Sequence, residues 1–116
     1  MKTYSDFQTA LPLTEVTFFI LLSLSHGPRH GYLIMKEVHG LSQGRVSLST
    51  GTLYGALKRM LETGLVQRID SGVHASGRIR KEYRLTESGQ RLLVAEIRRL
   101  ETLVGAARVY PLPEMS

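Results

Sequence analysis

One stretch limits the fold of this chain more than any other: LSTGTLYGALKRMLETGLV, residues 48–66. Leu53, Ala56, Leu57, Met60 and Leu61 recur at helical spacing, so one face of a helix must turn toward a core. Ser49 is a suitable N-cap, and Leu48 and Leu53 have the spacing of a hydrophobic staple across it. Gly64 stands where a helix ending at Thr63 needs a left-handed residue. The opposite face holds Gly51, Gly55, Lys58 and Arg59, with Thr52 and Tyr54 on its flanks. Each glycine there weakens the helix by about 1 kcal/mol relative to alanine. Such a face points to contact with something outside the chain.

The neighbouring segments complete a recognisable order. Thr14 can cap a first helix, with Leu13 and Phe18 as its staple, and Gly27-Pro28 ends it. Within it VTFFILLSLS (Val16–Ser25) is apolar nearly all round, which predicts burial on several sides, a second subunit being one candidate cover. A second helix is expected over Gly31–His39, with Ile34, Val38 and Leu41 on one face and Gly40 near its end. After the 49–63 helix, LVQRID reads as a strand and SGVHASGRIR (71–80) as a basic, Gly/Ser-rich loop. KEYRLT then alternates Lys81, Tyr83 and Leu85 against Glu82, Arg84 and Thr86, a half-buried strand with Tyr83 toward the core. Thr86 caps a last helix, Glu87–Val109, stopped by Pro111. The fold class expected is therefore mainly α with a small β-hairpin. It is a winged helix-turn-helix DNA-binding domain over 1–86, a C-terminal dimerisation helix over 87–110 and a tail over 111–116. Helix 49–63 is the expected recognition helix and loop 71–80 the wing.

Charge supports a polyanionic partner. The 116 residues carry a net charge of +5, and all of the excess lies between Arg45 and Arg84. There Arg45, Lys58, Arg59, Arg68, Arg78, Arg80, Lys81 and Arg84 face only Glu62, Asp70 and Glu82. Cysteine is absent, which excludes disulfides, thiolate metal sites and cysteine nucleophiles. No nucleophile elbow, phosphate loop or paired-carboxylate cleft is present, so no enzyme activity and no cofactor are expected. The polar start, MKTYSDFQTALPLTE, shows no secretory leader, and the longest apolar run falls short of the about 20 residues a bilayer needs. A soluble, cytoplasmic protein without membrane contact is the expectation.

Double-stranded DNA suits these features. Ser49, Thr50, Thr52 and Tyr54 offer hydroxyls to phosphate oxygens, and Lys58 and Arg59 add salt-sensitive attraction. Arg78, Arg80 and Lys81 cluster at the Gly-flanked tip of the hairpin and are expected phosphate or minor-groove contacts. Arg45, just ahead of the helix, is a weaker candidate. Tyr54 has an alternative role in packing. His26 and His30 bracket GPR, with Glu37 and His39 beyond, but the Gly-Pro break removes helical ligand spacing; local hydrogen bonding is expected and no metal. In the last helix Leu93, Ile97, Leu100, Val104 and Ala107 follow the 4,3,4,3 spacing of a coiled-coil seam. That seam either joins two subunits into a homodimer, the expectation here, or packs on its own domain. Paired recognition helices would read a palindromic site.

HGYLIMKEV, LSTGTLYGALKRMLETGLV and RKEYRLTESGQRLL resemble the three signature blocks of the PadR-like transcriptional regulators, a likeness running from about Leu13 to Leu103. The resemblance implies a winged-helix repressor, dimeric through its C-terminal helix with help from the first. Gly55 departs from the family pattern, where many members have proline. The single C-terminal helix is similar to the short-tailed branch, some of whose members bind aromatic or drug-like ligands between subunits. No tryptophan is present, so stacking would fall to Phe18, Phe19 or tyrosines. Phe18, Phe19 and Leu22 against Leu100, Leu103 and Val104 would line a pocket for a small aromatic effector, or would merely form core and dimer contact. The competing functional class is a winged-helix protein-interaction module without sequence-specific DNA binding.

Overall fold

The computed structural model describes residues 10–73, 77 and 79–113. Among these the chain runs through α1 (Glu15–Leu24), β1 (Arg29–His30), α2 (Gly31–Leu41), α3 (Thr50–Glu62), β2 (Val66–Val73), β3 (Ile79–Leu85) and α4 (Glu87–Val109). The fold is mainly α with a small antiparallel sheet, a winged helix with a long C-terminal helix.

Side-chain caps start the helices. Thr14, Ser49 and Thr86 hydroxyls accept the amides of Thr17 (3.2 Å), Thr52 (3.1 Å) and Gly89 (3.0 Å), opening α1, α3 and α4 as the sequence predicts. Helix α2 starts on His30, whose Nδ1 accepts the Leu33 amide at 3.3 Å. Two helices end by the same device. In α3, Gly64 takes φ 75°, while the Leu65 amide reaches the Met60 carbonyl (2.8 Å) and the Gly64 amide reaches Leu61 (3.2 Å). In α2, Gln43 takes φ 56°, and the Gly44 amide bonds the His39 carbonyl at 2.8 Å. This turn carries α2 to Leu41, two residues past the expected end, because a glycine such as Gly40 weakens a helix interior without stopping it.

The sheet corrects the expected wing. Its order is β1-β3-β2, with both pairings antiparallel. The ladder starts at Val66↔Leu85, passes Arg68↔Tyr83 and Asp70↔Lys81, and resumes at Val73↔Ile79 after a bulge. Gly72, at φ 72°, lies within that bulge and absorbs the extra residue on β2. Half of 71–80, read from sequence as loop, is thus strand: 71–73 close β2 and 79–80 open β3. The third strand, β1, pairs Arg29 with Tyr83 and His30 with Glu82. It was not anticipated, since two residues after Gly-Pro carry no alternation.

Ile20, Leu21 and Leu24 of α1, Ile34 and Val38 of α2, and Leu53, Ala56, Leu57 and Met60 of α3 form the core with Leu48, Val66, Tyr83 and Leu93. Each large apolar side chain so buried contributes about 1.5–3 kcal/mol relative to exposure. Leu61 and Leu41, placed on the apolar faces by periodicity, lie at their edges and are exposed. Tyr83 is buried, as expected. Helix α4 divides in two. Leu92, Leu93 and Glu96 are buried and Ile97 packs against the core, whereas every residue from Leu100 to Pro113 is exposed.

Candidate nucleic-acid interface

Burying Leu53, Ala56, Leu57 and Met60 turns the other side of α3 outward. Thr50, Gly51, Thr52, Tyr54, Lys58 and Arg59 are all exposed there. A Cβ built on Gly51 would meet nothing within 4 Å, and one on Gly55 only Arg59 Nη1 at 3.7 Å. Neither glycine has a positive φ. Nothing among the described residues therefore asks for glycine at either position. The Ser49 hydroxyl donates to Thr52 Oγ1 at 2.9 Å while accepting the Thr52 amide, which leaves the Thr52 proton for an outside acceptor. The amides of the first turn carry the positive end of the helix dipole toward the same side.

The basic residues of the 45–84 segment divide by their partners. Arg45 is paired with Glu15, Arg68 with Asp70 at 3.5 Å, and Arg84 donates to Gln67 Oε1 at 2.9 and 3.2 Å. Lys58, Arg59 and Lys81 are exposed with no carboxylate in ion-pair range among the described residues. Cations without internal partners keep their full attraction for a polyanion. Arg78 lies outside the described residues; Arg80 is the second residue of β3. Tyr54 leans back over the first residue of α2, the packing role weighed for it, and is 46% exposed. Burial pushes the Tyr83 hydroxyl above its ordinary value, the neighbouring Tyr54 hydroxyl adds to this, and Arg68 opposes it.

His30 serves as a helix cap with its ring stacked on Tyr32 at 6.5 Å, and Glu37 is engaged by Arg29 at 3.1 Å. Among the described residues no cluster of His, Asp and Glu suits a metal ion. None of the described helices is long and apolar enough to cross a membrane.

The seam residues of α4 separate. Leu93 belongs to the chain's own core and Ile97 leans on it, while Leu100, Val104 and Ala107 are exposed. Phe18, Phe19 and Leu22 pack against the core. A groove lies elsewhere on α4. It has a volume of about 1080 Å³, runs between Leu11–Pro12 and Val94, Arg98, Thr102 and Leu103, and shares only Leu103 with the expected effector-pocket residues. Sequence reasoning missed Glu96. This buried carboxylate accepts the Leu13 amide at 2.8 Å and two Arg99 bonds at 2.5 and 3.1 Å, tying the segment before α1 to α4. The Arg99 bonds hold its carboxyl below the usual range against the opposing effect of burial. An acid inside an apolar stripe with arginine three residues on was the available signal.

Comparison with known proteins places this geometry. A 37.1 kDa protein in a Streptomyces fradiae transposon is 31% identical over 100 residues; the match covers 86% of this chain, which spans only 27% of that relative. A PadR family transcription regulator from hypervirulent Clostridium difficile superposes with a TM-score of 0.69 at 27% identity, covering 82% of this chain and 96% of its own. Bacillus subtilis PadR, crystallised with operator DNA, superposes with a TM-score of 0.62 at 24% identity over 90% of this chain and 54% of that one, a likeness of fold. The sequence pattern of the PadR-like transcriptional regulators matches residues 20–95. With that match over most of its length, the chain belongs to the PadR-like family of transcriptional regulators.

Proposed function

We propose that the chain is a dimeric, cytoplasmic DNA-binding repressor that reads a palindromic operator through α3 and its basic wing. The observation that carries this is the outer face of α3. Gly51 and Gly55 have no internal reason to be glycine, and they stand beside Lys58 and Arg59, which have no ion-pair partner among the described residues. A bare helix backbone flanked by hydroxyls and free cations fits a phosphate backbone. Ser49, Thr50, Thr52, Lys58 and Arg59 form the helix side of the contact, and Arg78, Arg80 and Lys81 the wing side. That B. subtilis PadR takes this fold onto operator DNA supports the same use here. The exposed half of α4, with Leu100, Leu103 and Val104 beside a glycine with open space around it, Gly105, supports a helix-to-helix dimer. An aromatic effector bound at that junction, where Phe18, Phe19 and Leu22 would meet a dimer contact, would release DNA by changing the spacing of the two recognition helices.

The test is a mobility-shift titration against DNA upstream of the protein's own gene at several salt concentrations, with a footprint of the bound site. Two protected half-sites centred about 10 base pairs apart, or a multiple of that, are expected. Replacing Lys58 or Lys81 with alanine should each lower the slope of log affinity against log salt by about 0.9. Binding that ignores sequence and salt, or no binding, refutes the proposal and favours a protein-interaction module.

A further inference from the structure

The first residue of α2 has no room for a side chain while the Tyr54 ring holds its place. A Cβ on Gly31 would lie 2.4 Å from the Tyr54 hydroxyl oxygen, 3.0 Å from Tyr54 Cζ and 3.4 Å from Leu53 Cδ2. Unstrained carbon contacts need about 3.5 Å. The φ of Gly31 is not positive, so its backbone conformation does not call for glycine; the tyrosine does. Arg29, two residues earlier, pairs with Tyr83, and Tyr83 is opposite Arg68 on β2. The tip of the Tyr54 ring therefore lands where α2 begins, two residues after the strand residue that pairs with Tyr83 of β3. Leu53, the preceding residue on α3, is fully buried. It anchors the same turn on the core side, and Tyr54 adds a second fixed point on the outer side.

We infer that Tyr54 and Gly31 form a clasp that fixes the angle of α3 against α2 and against the sheet carrying the wing. Tyr54 thereby acts in DNA binding as a positioning residue, through the charges it aligns. The inference rests on the DNA-binding function proposed above. A recognition helix and a wing must meet phosphates on one duplex together. Holding their relative placement before binding removes an ordering cost from the association. Tyrosine suits the role because a large rigid ring loses little rotamer freedom when it is fixed.

The test compares Gly31→Ala, Tyr54→Ala and the double variant, each by urea unfolding and by DNA affinity across a salt series. Gly31→Ala changes no charged group. It should nevertheless weaken DNA binding about tenfold. It should also lower the salt slope by about 0.9 for every phosphate contact that the misaligned wing gives up. In Tyr54→Ala the ring over Gly31 is gone, so adding Gly31→Ala should lower neither the unfolding midpoint nor the affinity further. Tyr54→Phe keeps the ring and should keep the native salt slope, whereas an isolated hydroxyl-to-phosphate contact would lower affinity in that variant. If Gly31→Ala alone fails to fold, recovery of a folded protein in the double variant reports the same coupling. Additive effects on unfolding, or native affinity and slope in folded Gly31→Ala, overturn the clasp. Should the native protein itself not bind DNA, the DNA-binding function fails, while non-additivity in unfolding still decides whether the clasp exists.

Discussion

Replacing Gly55 with alanine should make this protein more stable and a weaker DNA binder at once. The stability side follows from the helix. Gly55 lies in the middle of α3, and the added methyl meets only Arg59 Nη1 at an ordinary 3.7 Å. Neither strain nor a lost contact opposes the intrinsic preference for alanine, so the gain is about 1 kcal/mol. At a typical urea slope of about 1–3 kcal/mol per molar, the midpoint rises by roughly 0.3–1 M. The binding side follows from distance. A methyl carbon stands roughly 1.5 Å out from the Cα, whereas charged hydrogen bonds hold only within a few tenths of an ångström of their best length. Where DNA lies against the bare backbone, the helix must retreat or tilt. Losing one charge-assisted contact, at about 1.5–3 kcal/mol, weakens binding by about 10- to 150-fold. Urea unfolding at fixed protein concentration and fluorescence anisotropy with labelled operator, run on one preparation, measure both. A stabilised variant with native affinity would refute the assignment of this face to DNA.

Gly89→Ala should go the other way, because its Cβ would lie 2.1 Å from the Leu65 carbonyl oxygen, which also accepts the Thr86 amide at 3.1 Å. Separating α4 from β2 outweighs the helical preference for alanine, and urea unfolding should show a net loss of about 2–4 kcal/mol; native or higher stability would mean the approach is not close. Glu96 makes stability depend on acid: its carboxyl titrates below the usual range in the fold, so its contribution is complete above about pH 5 and is lost as pH falls through the lowered folded-state value. The gap in urea midpoint between native protein and Glu96→Gln should be constant at neutral pH and close in acid, and a gap independent of pH would show that the charge on Glu96 contributes nothing.

Much of this fold can be read from local rules. The hydroxyls at positions 14, 49 and 86 and the glycine at 64 each satisfy helix ends using a few neighbouring residues, and those ends lie where the spacing puts them. What escaped depends on residues distant in sequence. Arg29–His30 is a strand only because β3 lies beside it, and 71–73 continue β2 because Gly72 absorbs a bulge. The 4,3,4,3 pattern of α4 identifies an apolar stripe without saying what covers it, and the structure splits the stripe at Leu100 between the chain's own core and open surface. Glycine shows the limit most clearly. Gly31, Gly51, Gly55 and Gly89 all lie in helices where alanine would be the better helix former, and as letters they are equivalent. Packing separates them. Gly31 and Gly89 are set by Tyr54 and Leu65 of the same chain, and Gly51 and Gly55 by nothing among the described residues. The first pair is explained by the fold. The second pair leaves a stability cost with no return among the described residues, and the proposed DNA backbone at that face would supply one.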